Sequence, residues 1–130
     1  MAERIANGIV ESVLAHEFGH LAKGHLNGSD ANHQISQLEE KEADLFASQI
    51  AASVPEGAEV FAGQVLSMLV FSFIDDGTGG ERLRSHPVAR ERVIDAIRAN
   101  PEYAAEAGLT EEGVREFYKA IDEKSKSQVP

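Results

Sequence analysis

Apolar residues recur along this chain at helical spacing, and no segment alternates convincingly with the two-residue period of a half-buried strand. From Ala2 to Lys23, Ile5, Ile9, Val13 and His20 fall near one line of a helix, and Val10, Leu14, Phe18 and Leu21 widen that face. The pattern predicts a first helix that buries these residues and turns Arg4, Gly8, Glu11, Ala15 and Gly19 outward. Gly24 stands where a helix C-terminus tolerates positive φ, and Asn27-Gly28-Ser29-Asp30 reads as a turn. A second helix is expected from near Asn32 to Ala52, with Ile35, Ala43, Phe46, Ala47 and Ile50 inward. Pro55-Glu56 opens a third, hydrophobic helix that ends before the glycine-rich run Asp75-Asp76-Gly77-Thr78-Gly79-Gly80. Pro87, in Ser85-His86-Pro87, suits the first turn of a fourth helix continued by Val88 to Ala99. A short helix from Pro101 to Ala107 stops at Gly108, and Thr110 caps a last one through Asp122. The expected fold is mainly α: one compact helical domain over residues 1–123, with a frayed tail at 124–130.

Composition narrows the chemistry. The 130 residues suit a single domain, and 42% hydrophobic with 26% charged residues argues against wholesale disorder. With no cysteine there is no disulfide, no thiolate metal ligand and no thiol nucleophile, so any metal must be held by histidine and carboxylate. Twelve basic residues against 22 acidic ones give a net charge of −10, which repels phosphate and excludes broad nucleic-acid binding. The uncharged stretch from Val60 to Ile74 is shorter than the roughly 20 residues that span a bilayer. It reads as a core helix, with a segment resting on a membrane as the alternative. The N-terminus carries no signal-peptide pattern, which favours a cytoplasmic location unless the chain is a fragment of a longer protein.

The candidate chemistry begins at His16-Glu17-Phe18-Gly19-His20, an HExxH pattern. Histidines four apart stand one turn apart on one helix face, so both imidazoles can reach a single tetrahedral cation. On the helical wheel His16, Glu17 and His20 fall within the expected apolar arc, where polar groups are costly unless satisfied; one zinc ion per chain would satisfy them. Glu17, beside the first histidine, is the candidate general base. The alternative is a pair of core histidines bonded to carbonyls or carboxylates. The second helix offers a third ligand in Glu40, between Ala43 and Ala47 on the inner face. One turn on, Asp44 can accept the distal N–H of a ligand histidine.

This order of elements resembles the gluzincin metallopeptidases, above all the HtpX and CAAX prenyl protease type. Glu40-Lys41-Glu42-Ala43-Asp44 follows the first motif, and Ser85-His86-Pro87 with Arg92 follows in turn. The resemblance implies zinc held by His16, His20 and Glu40, Glu17 as general base, His86 near the scissile carbonyl, Arg92 in support, and a peptide or protein substrate. The ImmA/IrrE type is similar as well, through Ala43-Asp44-Leu45-Phe46-Ala47. Such peptidases place a β-strand before the zinc helix to align substrate. Here the helix begins near residue 2, so a zincin-like domain without its N-terminal sheet is expected: either a missing segment or a partner supplies the strand, or substrate binding differs. Lys23 and Leu26 stand where a metzincin would need glycine and histidine.

Other residues read less sharply. His25 is expected at a helix end or the surface rather than on the metal, and His33 is expected exposed. His86 reads equally as a helix-start residue bonded to backbone. The group Arg82, Arg84, Arg90, Arg92 and Arg98 offsets neighbouring acids or receives a peptide carboxylate, the structural role leading. Phe61, Val65 and Leu69 with Phe71 and Phe73 read as core; Tyr103 or Tyr118 could supply an oxyanion donor, but no spacing argument selects either. The competing functions are a non-catalytic helical module with a structural zinc site closed by His25 or His33, and a protein-binding metallopeptidase remnant whose zinc site is vestigial.

Overall fold

The computed structural model describes residues 2–25, 33–74 and 82–127, and among these it contains helices and no strand. The helices are α1 (Ala2–Lys23), α2 (His33–Ser53), α3 (Gly57–Ile74), α4 (Arg82–Ala99), α5 (Pro101–Glu106) and α6 (Glu111–Ser127). The mainly-α expectation holds. No described helix is long and apolar enough to cross a membrane. The turn around Asn27 and the loop at 75–80 lie outside the described residues.

Two boundaries differ from the sequence reading. Helix α4 begins at Arg82, so Pro87 sits in its second turn instead of its first and forgoes the bond its N–H would have given. Helix α6 runs to Ser127, five residues beyond Asp122. Thr110 does cap it: the Gly113 N–H donates to Thr110 Oγ1 at 3.0 Å.

The hydrophobic core lies among α3, α4, α5 and α6, with one residue from α2. Phe61, Val65 and Met68 meet Val93, Ile94 and Ile97, closed by Ala51, Ala104, Val114 and Tyr118. Phe61 and Val65 are core as expected, with Leu69 packed against them; the side chains of Phe71 and Phe73 lie outside the described set. Tyr118 belongs to this core, and the Tyr103 ring lies 6.2 Å from that of Phe61. Neither tyrosine joins the histidines, which corrects the oxyanion reading.

Helix α1 is turned well away from its expected orientation: Arg4 and Glu11 are exposed as expected and Ile9 and Val13 are half-buried, but Gly8, Ala15 and Gly19, expected outward, turn inward. Its buried residues are Gly8, Ser12, Ala15 and Gly19, while Ile5, Val10, Leu14, Phe18 and Leu21 are exposed. The hydrophobic periodicity was real, but backbone proximity decided the inward face. Helix α1 packs on α3 and α2 with almost no side chain between: a Cβ on Gly63 would stand 2.1 Å from the Gly8 carbonyl oxygen, and one on Gly8 2.3 Å from that of Glu59. Only the small-residue stripe can face such neighbours, and a leucine there would hold the helices apart. The Arg4–Glu59 ion pair ties the same two helices at the rim. On α2, Ala43 and Ala47 are fully buried as expected, whereas Ile50 is 37% exposed. A groove of about 760 Å³ lined by Leu14, Phe18, Leu21, Phe46, Ile50 and Val54 results. Leu14 and Phe18 point roughly 160° around α1 from His16, so the groove and the histidines occupy opposite flanks.

Candidate metal centre

Gly19, the fourth residue of the HExxH pattern, brings α1 against α2. A side chain there would meet the Ala43 Cα at 2.9 Å. With the backbones this close, groups as short as imidazole and carboxylate meet across the seam. His16 Nε2 and His20 Nε2 lie 3.1 Å apart, and Glu40 reaches them with Oε2 at 3.4 Å and Oε1 at 3.3 Å. Tetrahedral ligands at the usual zinc distances stand roughly 3.3 Å from one another. Ligand atoms of His16, His20 and Glu40 all fall within 4.8 Å, and no other such group of three occurs among the described residues. The donor set, two imidazole nitrogens and one carboxylate oxygen, is one that suits zinc.

The back of each histidine is engaged. Asp44, buried, accepts from His16 Nδ1 at 2.9 Å and is gripped by Arg92, whose Nε and Nη2 donate to it at 2.5 and 3.0 Å. Arg92 also lies 3.2 Å from Glu40 Oε2, so one guanidinium from α4 braces both acids of α2. Gln64 of α3 fixes the turn beneath, donating to the Asp44 carbonyl at 2.9 Å and accepting from Ser48 at 3.1 Å. His20 Nδ1 meets His25 Nδ1 at 3.1 Å, and His25 Nε2 meets Glu42 Oε2 at 2.9 Å. His25 stands just past the end of α1, as the helix-end reading has it, but its side chain is only 8% exposed and so not at the surface; it touches the far side of His20 rather than the Nε2 cluster.

The charges follow from these contacts. Burial pulls the His16 pKa down, but hydrogen bonds to Asp44 and Glu40 and their charges outweigh it and raise it from 6.5 to about 9. Glu40 is held below its ordinary value, first by its hydrogen bond to His16 and then, against burial, by the charges of Arg92, His16 and His20. Burial opposes the charge of Arg92, yet the Asp44 bond and the two carboxylates raise its pKa further.

Other expected residues are placed less fully or elsewhere. Glu17 is exposed, not in the buried arc where the wheel set it. His86 lies within α4 and His33 at the start of α2, but their side chains fall outside the described set, as do those of Arg82 and Arg84. Arg90 pairs with Glu91 at 3.4 Å, and Arg98 makes two 2.8 Å bonds to Glu111, so these two serve structure. The sequence reading missed Glu42 and Gln64. Glu42 had no signal beyond a charge run, and Gln64 none beyond being a buried amide in an apolar helix.

No curated protein and no solved structure matches the chain. The family model for peptidase U49 matches residues 2–107, a span that includes α1 to α5 and every member of the histidine–carboxylate cluster. With most of its length accounted for in this way, the chain belongs to the peptidase U49 family.

Proposed function

We propose that this chain is a zinc-dependent endopeptidase of gluzincin type, with His16, His20 and Glu40 as the protein ligands. The observation that carries the reading is the cluster of two Nε2 atoms and a carboxylate at 3.1–3.4 Å, with both Nδ1 atoms already engaged behind it. Zinc bound there would polarise a peptide carbonyl and acidify water, the chemistry of metal-assisted hydrolysis. Asp44 holds the His16 proton on Nδ1 and so leaves Nε2 free to coordinate. Arg92 holds the Asp44 carboxylate by two hydrogen bonds, and its charge helps to keep Glu40 below its ordinary pKa. Glu17, exposed next to His16, is free to take a proton from the attacking water and return it to the leaving amine. The likeness to the HtpX and CAAX prenyl protease type supports these roles through Glu40, Asp44 and Arg92. His86 near the scissile carbonyl belongs to the same proposal.

The roles separate by mutation. Glu17→Gln is expected to retain one zinc per chain and lose hydrolysis of a peptide library by about 10²–10⁴-fold, whereas His16→Ala loses both. Metal content by atomic spectroscopy, read beside cleavage, decides it. Zinc near zero in the wild type, or equal zinc loss in both variants, overturns the assignment.

A further inference from the structure

We propose that His25 and Glu42 are positioning residues that hold His20 in the tautomer required for metal ligation; this rests on the zinc reading above. The relay starts in the backbone. Gly24 adopts φ +75°, the Gly24 N–H donates to the Leu21 carbonyl at 3.2 Å and the His25 N–H to the His20 carbonyl at 2.9 Å. This double bond pattern folds the chain back over the last helical turn. It sets His25, five residues on in sequence, against the face of α1 that carries His20. The two rings stand edge to face with centroids 5.3 Å apart.

The hydrogen bonds then allow one neutral arrangement. A His20 that presents a bare Nε2 to a cation must carry its proton on Nδ1. That proton points at His25 Nδ1, 3.1 Å away, which must therefore be bare and accept it. His25 then carries its own proton on Nε2, which donates to Glu42 Oε2 at 2.9 Å. Every donor meets an acceptor, ending on a carboxylate that strengthens the whole series. His16 has the matching arrangement through Asp44 and Arg92, supplied by α2 and α4. The centre is thus oriented from two sides, and the His20 side is built from the helix end itself.

The test measures zinc affinity by chelator competition on the full chain, with thermal unfolding of the metal-free protein alongside. His25→Phe keeps a ring and removes both nitrogens; a 10–100-fold loss of zinc affinity is expected. His25→Asn returns an acceptor near the Nδ1 position and is expected to recover most of that loss, and Glu42→Gln to weaken binding only a few-fold. If His25→Phe folds poorly, the His25→Asn and Glu42→Gln pair still decides: affinity below wild type in both upholds the relay, and wild-type affinity in both overturns it. Unchanged affinity in a folded His25→Phe, with only its melting temperature shifted, reduces His25 to a structural clasp and overturns the proposal. A wild type that binds no zinc, or binds it as tightly after His16→Ala, defeats the underlying zinc reading instead, so the two failures are distinguishable.

Discussion

Between α3, α4 and α6 the helices are spaced by what they bury: Phe61, Met68, Ile94, Ile97 and Tyr118 fill the gap, and apolar area removed from water stabilises the contact. Along α1 the spacing is set by what is missing. Gly8, Gly63 and Gly19 let backbone touch backbone, the large side chains of α1 turn outward, and polar groups gather at the flank of the seam. The first region gives stability through volume. The second gives proximity, without which His16 and His20 of α1 could not share a point with Glu40 of α2. A binding centre made of short side chains needs close backbones, and close backbones exclude bulk.

The comparison makes opposite substitutions harmful in the two regions. Phe61→Ala, which empties part of the core, is expected to destabilise by about 3–5 kcal/mol, read as a shifted midpoint in chemical denaturation. Gly63→Ala adds a single methyl to the seam, yet its Cβ would stand 2.1 Å from the Gly8 carbonyl oxygen. A loss of about 3 kcal/mol, or of folding altogether, is expected. A tolerated alanine would mean the seam can open, and would remove the reason α1 turns its small residues inward.

A third prediction concerns the polar flank. His16 is raised from 6.5 to about 9 in the folded protein, so its favourable contribution is complete below pH 6.5 and disappears as pH climbs through about 9. The metal-free protein should lose on the order of 2–3 kcal/mol across that window. Zinc affinity should rise over the same range, because ligation needs the proton removed from His16. Denaturation and chelator competition at both ends of the range check both signs; a flat stability profile would place the His16 proton elsewhere. The smallest effect is reserved for the outward face. Leu14→Ser, at a residue 53% exposed, should change stability by less than about 0.5 kcal/mol, whereas a larger loss would mean that residue is covered after all.

Chemistry that has a local pattern is legible in the sequence. Histidines four apart on a helix must share a face, and Glu40 and Asp44, again four apart, must do the same on the next; these relations follow from helical pitch before any fold is known. The caps at Gly24 and Thr110 are similarly local. The hydrophobic face of α1 was misread because a period tells which residues lie together, not which way the set faces. Burial of His25 was hidden because it arises from the turn after the helix and from Glu42, seventeen residues away along the chain.

Helix content, the absence of thiol chemistry and the presence of a candidate ligand set were therefore determined by the linear order of residues, since each depends on composition or on spacing within a helix. Which face of α1 turns inward, that Arg92 braces Glu40 and Asp44 together, and that His25 stands behind His20 were decided only by tertiary packing. These depend on how near two backbones come, and that distance is a property of the assembled helices rather than of any one of them.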